Sequence, residues 1–419
     1  MEIPEIENFE NLLFDVIPQN KKIVRCEKSR LSAPGENFAS LILGIKVTIQ
    51  KKENEDLEEE TIHSVAKLLP SNNFMKSFMN ISHTVRNELA FYQTILPTLR
   101  KFQEQQGSNK SLQAFPKFHG GRLSLDQANH TLDNNAVILL ENLNEDGYFV
   151  MDNYAGFDLE VTKLILSKMA ELHSTFLALK ETQREVFEEK LMPFFDQFKI
   201  FQLDENEGYM TSEIVINAII NTLQEDELCS LYMNKIQQTL ETCVHNLGLP
   251  KNSPKFQEDV FASLIHSDLW VNNIMVKTYL SKIVDVKILD WQLYEYASVV
   301  KDILFFLCSS TQEVVFKNNF DDLFKFYHEE LIANLKELKC DTDKFSFNAF
   351  QEEMKVVAGE SAFFYSMMAL PSIFASDGNV WDVHELSKER LLGQVQQISD
   401  FCKNRMWLIA RKFIQKGWI

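Results

Sequence analysis

Polar and apolar positions alternate along the first part of this chain and then give way to a helical repeat. Val and Ile alternate through residues 40–50 (SLILGIKVTIQ), and a second such run, 62–69 (IHSVAKLL), is stopped by Pro70. Both read as strands. Residues 22–32 form a further candidate strand, running into the turn-rich segment Ala33-Pro34-Gly35-Glu36-Asn37-Phe38. The charged stretch 51–60 (KKENEDLEEE) reads as a solvated hairpin tip. Val85, Leu89, Tyr92 and Leu96 recur at three- and four-residue spacing, which predicts a helix over 84–96. Residues 136–140 (AVILL) are a short buried-strand candidate. Residues 159–179 are amphipathic, 187–251 are mostly helical by period, 274–288 form a second β-rich island, and helical patterns continue to the end with a break near Pro371. The expected fold is α+β, a small antiparallel sheet followed by a large, mainly helical part. The division is placed at 1–140 and 141–419, with a hinge near 140–144.

Composition narrows the classes. A chain of 419 residues is too long for one compact core, and 45% hydrophobic residues supply enough material for two packed units. The formal net charge of -18 repels nucleic acid and anionic membranes, so neither is expected as a partner. It leaves room for a nucleotide site, which needs only local cations. Cys26, Cys229, Cys243, Cys308, Cys340 and Cys402 are scattered without zinc spacing and read as reduced thiols. The N-terminus lacks the basic start and apolar stretch of a signal peptide, and no unbroken apolar run reaches 18 residues. A cytoplasmic protein is expected.

The chemistry concentrates in two short stretches. The first, 264–273 (LIHSDLWVNN), holds His266, Asp268 two residues later, and Asn273 five residues after that. This is the spacing of a kinase catalytic loop, in which the Asp takes a hydroxyl proton and the Asn binds magnesium. The second is Ile288-Leu289-Asp290-Trp291-Gln292. A strand over 274–277, a turn at 279–282 and a strand over 283–289 would bring Asn273 and Asp290 to one end of a hairpin. There they offer the hard oxygen ligands that magnesium takes from protein. Taken singly, each of these residues reads as a solvated surface group or a satisfied core histidine; the combination carries the reading.

Lys67, on the third strand, can reach nucleotide phosphates if a carboxylate holds it, and Glu88 lies on the next helix. The 35–40 turn (GENFAS) has a single Gly; backbone N–H groups around Asn37, with Ser40, are candidates for covering the phosphates. Glu141 and Leu143 fall where two lobes would join, and their backbone groups are the candidates for the adenine edge.

These stretches, together with 65–70 (VAKLLP), 87–97 (NELAFYQTILP), 114–122 (AFPKFHGGR), 137–143 (VILLENL), 169–175 (MAELHST), 266–277 (HSDLWVNNIMVK) and 286–307 (VKILDWQLYEYASVVKDILFFL), resemble the ecdysteroid kinase-like family of arthropods. That family lies within a choline kinase and aminoglycoside phosphotransferase-like group of protein-kinase-like two-lobe fold. The resemblance covers nearly the whole chain. It implies an ATP- and Mg-dependent transfer of a phosphoryl group to a hydroxyl of a small, rather apolar molecule, such as an ecdysteroid or xenobiotic. By the resemblance, Asp268 is the catalytic base and His266 orients its loop. Asn273 and Asp290 bind magnesium, Lys67 meets the phosphates, Glu88 pairs with Lys67, and Asp302 is structural, with capping of a helix at 303–307 an equal alternative. Ser267 stands where the family usually has Gly, Trp291 where it has Phe, and Asn142 where it often has Asp. The alternatives are a kinase for a cationic alcohol such as choline and a non-catalytic ligand-binding relative. Residues 362–374 (AFFYSMMALPSIF) are a candidate wall of the acceptor pocket, a buried core helix being their plainer reading.

Overall fold

The computed structural model describes residues 3–31, 40–51, 59–70, 76, 80–126, 131–195, 205–247, 259–374 and 398–419. Five strands, β1 (Lys21–Arg30), β2 (Leu41–Lys51), β3 (Glu60–Leu68), β4 (Phe118–Arg122) and β5 (Val137–Glu141), form an antiparallel sheet in the order β1-β2-β3-β5-β4. Alternation divides its faces. Leu43, Ile45, Val47, Ile49, Ala66, Val137 and Leu139 pack on one side with Ile6 and Leu13, while Ile138 and Leu140 join the main core on the other. The N-terminal segment thus caps the outer face of the sheet, an apolar cover that spares the face from water. Gly120 permits the approach: at φ 156, a Cβ there would lie 2.0 Å from the Leu12 carbonyl oxygen.

Helix α1 (Ile81–Ala90) packs beneath the sheet and continues through a π-helical turn, Phe91–Ile95, into α2 (Leu96–Gln106). The helix expected over 84–96 therefore runs ten residues further. Pro97 does not stop it, because it follows the π turn at the first positions of α2, where a missing N–H is tolerated.

The remainder is mainly helical. Strand β6 (Tyr148–Val150) precedes α3 (Leu159–Thr182), whose N-cap Asp158 accepts the Val161 N–H at 2.9 Å. Then come α4 (Glu205–Gln224) and α5 (Met233–Leu247). Next are four strands: β7 (Ala262–Ile265), β8 (Ile274–Tyr279), β9 (Lys282–Ile288) and β10 (Glu295–Ser298). β8 and β9 form the expected hairpin with β6 alongside, and β7 pairs with β10. Helices α6 (Val299–Ser310), α7 (Glu313–Glu337), α8 (Phe347–Val357), α9 (Phe363–Ile373) and α10 (Asp400–Gln415) complete the lobe. This is the expected α+β architecture, a small antiparallel sheet followed by a large, mainly helical part.

α8 and α9 are joined by a further π turn, Ala358–Ala362, into one helix, and Pro371 lies inside it instead of breaking it. By length and composition alone this helix could cross a membrane, although no unbroken apolar run was expected. In this protein 56% of its most apolar window is buried inside the fold. Phe363, Phe364, Met367 and Leu370 are core, the plainer of the two readings of that stretch. Many of the 33 phenylalanines lie in one continuous interior: Phe316, Phe320 and Phe324 meet edge to face in turn along α7. The six cysteines are free thiols, five of them buried.

Candidate active site

Strand pairing positions the first half of the site. Lys67 sits opposite Ile42 of β2 and Ile138 of β5, on the sheet face away from the N-terminal cover. Its Nζ donates to Glu88 Oε1 at 2.8 Å and Oε2 at 2.7 Å, and to Asp290 Oδ1 at 2.6 Å. Glu88 comes from α1 and Asp290 from beyond β9, so one ammonium ties together sheet, helix and the larger lobe. Burial alone would lower the Lys67 pKa; the carboxylates of Asp290 and Glu88 overcome it and hold the group above the ordinary lysine range. Burial pushes the Glu88 carboxyl up, Lys67 pulls it down, and the Asp290 charge adds to the rise.

The hairpin positions the second half. Ile274 pairs with Ile288, and the Leu289 N–H donates to the Asn273 carbonyl at 2.8 Å, so Asn273 and Asp290 meet at the same end. The Asn273 Nδ2 donates to the Asp268 backbone oxygen at 2.8 Å and to Asp268 Oδ2 at 3.0 Å, which leaves Oδ1 as the oxygen suited to a cation. His266 is buried and neutral: Nε2 donates to the Leu289 carbonyl at 2.7 Å and Nδ1 accepts the Asp268 N–H at 3.2 Å. Burial drives its pKa down. Asp302 accepts the N–H groups of His266 and Ser267 at 2.7 and 2.8 Å. It does not cap a helix. α6 begins at Val299, and the Asp302 carboxylate leaves the first turn to hold the catalytic loop from behind.

Asp268 is half-buried, and its carboxyl is pushed up to about 8, first by burial and then by the Asp290 charge. Three carboxylates, Glu88, Asp268 and Asp290, thus share the region with one ammonium, Lys67. Even with Asp268 protonated, Glu88 and Asp290 outnumber the one Lys67 ammonium, an excess of negative charge that favours a cation. Among the described residues no group of three or more His, Cys, Asp or Glu forms a ready-made metal cage. A cation here would rely on Asn273, Asp290 and ligand oxygens, the pattern magnesium favours.

Four residues that hold the site were not picked out for it in the sequence. Trp291 is fully buried, stacked on Phe91 of the π turn with ring centroids 4.2 Å apart and planes 4° from parallel, with the His266 ring 4.5 Å away. Gln292 donates from Nε2 to Asp290 Oδ2 at 3.0 Å, while its carbonyl accepts from Asn87 Nδ2 at 3.2 Å. Glu295 and Tyr365 grip Ser267. The side-by-side placement of Trp291 and Gln292 after Asp290 was their only sequence signal.

The nucleotide-side candidates divide. Asn37 lies outside the described residues; Ser40 sits partly buried at the start of β2. At the end of the interior strand β5, the Glu141 N–H is already used by the Lys117 carbonyl at 2.9 Å, and its side chain pairs with Lys117 Nζ at 2.8 Å. Leu143 is buried in a 3-10 turn, Leu143–Asp146, capped by the Asn142 side chain.

A family model described as the ecdysteroid kinase-like family matches residues 34–340. Among solved structures, choline kinase from Cryptosporidium parvum Iowa II is similar at 10% identity and a TM-score of 0.42, over 99% of this chain and 94% of that one. The GDP complex of wild-type aminoglycoside 2'-phosphotransferase-IIIa is similar at 12% identity and a TM-score of 0.38, over 94% and 99% of the two chains. At these scores the likeness carries no residue-by-residue correspondence. No curated protein sequence matches.

Proposed function

The chain belongs to the ecdysteroid kinase-like family, and from that membership we propose that it is a small-molecule kinase moving the γ-phosphoryl group of ATP, with magnesium, to a hydroxyl of a small, rather apolar acceptor such as an ecdysteroid or xenobiotic. The observation that carries the reading is Lys67 bonded to both Glu88 and Asp290, beside a loop in which Asn273 holds Asp268. Magnesium·ATP would supply the transferable phosphoryl group and neutralise charge on the phosphates.

The residues then have separable tasks. Lys67, kept charged by its two carboxylates, meets phosphate oxygens; to do so it exchanges part of its contact with Asp290 for the ligand. Asp290 and Asn273 would hold the cation. Asp268 orients the acceptor hydroxyl and takes its proton as the oxygen attacks in line. For that, Asp268 must be ionised. Its pKa is raised first by burial and then by the Asp290 charge, so Asp290 holding a cation would relieve that second contribution and favour the ionised carboxylate. His266 and Asp302 keep the loop rigid and exchange no proton. The nucleotide is read as lying between the two lobes, with the division near 140–144.

The test is incubation with labelled ATP, magnesium and a panel of ecdysteroids, plant glycosides and choline, with Asp268→Asn as control. A labelled product that disappears in the control supports the reading and identifies the acceptor class. Nucleotide binding without transfer to any acceptor would replace it with a ligand-binding role.

A further inference from the structure

Ser267, between His266 and Asp268, has φ 65, the left-handed region that a non-glycine residue adopts only when its surroundings impose it. Three separate elements hold it there. Its N–H donates to Asp302 Oδ1 of α6 at 2.8 Å, its Oγ donates to Glu295 Oε1 of β10 at 2.6 Å, and its carbonyl accepts from the Tyr365 hydroxyl of α9 at 2.5 Å. Every polar group of the residue is therefore committed.

The outer partners are tied to each other. Lys301 Nζ pairs with Glu295 Oε1, and the same ammonium lies 5.0 Å from the centroid of the Tyr365 ring. Lys301 and Glu295 side chains are only 11% and 12% exposed, so the pair is largely shielded from water. Two features of the fold bring these groups together. Glu295 pairs in register with Ile265, the last residue of β7. The π turn at Ala358–Ala362 ends three residues before Tyr365 and rotates the following helix face. The result is a closed ring: Ser267, Glu295, Lys301, Tyr365 and back to Ser267.

The geometry points to this ring as a positioning device for Asp268: Glu295 and Tyr365, braced by Lys301, fix the Ser267 backbone and so aim the carboxylate that follows it. Because Tyr365 belongs to the helix Phe347–Ile373, a shift of that helix would be felt at the base. The inference rests on reading the site as a phosphotransferase, so its test includes a readout that does not depend on turnover.

Ser267→Gly, Tyr365→Phe and Glu295→Gln are compared with the unchanged protein by thermal melting, by amide hydrogen exchange at Ser267 and Asp268, and by magnesium-dependent ATP hydrolysis without acceptor. Ser267→Gly should melt no lower, since glycine accepts the left-handed backbone. Its Asp268 amide should nevertheless exchange at least tenfold faster, and kcat for hydrolysis should fall about tenfold with KM for ATP changed less than twofold. Tyr365→Phe should do the same to exchange and kcat. Combining it with Ser267→Gly should cost no more than either alone, as expected of one unit. Faster exchange in the variants of a protein that hydrolyses no ATP supports the ring while sinking the phosphotransferase reading. Unchanged exchange at Asp268 and unchanged kcat in both variants would overturn the ring.

Discussion

The two halves of the site are built differently. On the sheet side, position is set by charge: Lys67 bridges Glu88 and Asp290, and among the described residues it is the positive charge bonded to both. On the loop side, position is set by hydrogen bonds from backbone groups: Asp302 takes the N–H groups of His266 and Ser267, and His266 is locked between Leu289 and Asp268. A charged cluster can rearrange when phosphates and a cation arrive. A loop held by its own backbone is preorganised and moves little, which is what a proton-accepting group requires.

Changes that break the comparison are ordered by expected size. Lys67→Met removes the ammonium that bridges Glu88 and Asp290 and leaves the two carboxylates facing each other. Turnover should fall about 100- to 1,000-fold, read by steady-state kinetics, with weakened nucleotide binding in titration calorimetry. Trp291→Ala strikes the joint between the halves, since the indole stacks on Phe91 and touches His266. Losing a fully buried ring of this size should cost about 3–5 kcal/mol, measured by denaturant unfolding.

Asp302→Asn keeps one acceptor oxygen where two are used, and the amide must place an N–H against a backbone donor. A loss of about 1.5–3 kcal/mol is expected, with slower turnover and near-normal nucleotide affinity. The smallest effect is one of pH. Burial and the Asp290 charge push the Asp268 carboxyl up to about 8 from the 3.8 of an ordinary aspartate, so between these values the folded protein holds a proton that the unfolded chain releases. Stability from this group is therefore greatest at low pH and declines as pH rises toward about 8. Asp268→Asn should be the more stable protein at pH 8, by about 1 kcal/mol or more, with the gap closing toward pH 4. Melting curves across that range check the sign.

Much of the loop side was legible from spacing. A hairpin must bring its ends together, so Asn273 and Asp290 could be assigned to one end before any coordinates, and Ile274 does pair with Ile288. The β1–β3 order followed from alternation, and the Lys67–Glu88 pair from the kinase pattern of a strand lysine held by a carboxylate on the next helix. What spacing could not supply was contact between distant elements. Tyr365 reaches Ser267 only because a π turn rotates its helix, and Glu295 arrives through the β7–β10 pairing, two four-residue strands too short to show a pattern. Capping stood as an equal alternative to a structural role for Asp302 because caps are local, whereas its partners lie 35 and 36 residues away. The N-terminal cover over the outer sheet face likewise had no signal beyond scattered apolar residues such as Ile6 and Leu13.

The central claim is that nucleotide holding and chemistry are separate tasks, assigned to Asp290 and Asp268. It is tested most directly by measuring magnesium-dependent ATP affinity and turnover side by side in Asp268→Asn and Asp290→Ala. The account predicts that Asp268→Asn binds ATP within about threefold of the unchanged protein while losing about 100- to 10,000-fold in turnover, and that Asp290→Ala no longer gains ATP affinity from magnesium. Tight, magnesium-dependent ATP binding in Asp290→Ala, or undiminished turnover in Asp268→Asn, would contradict it.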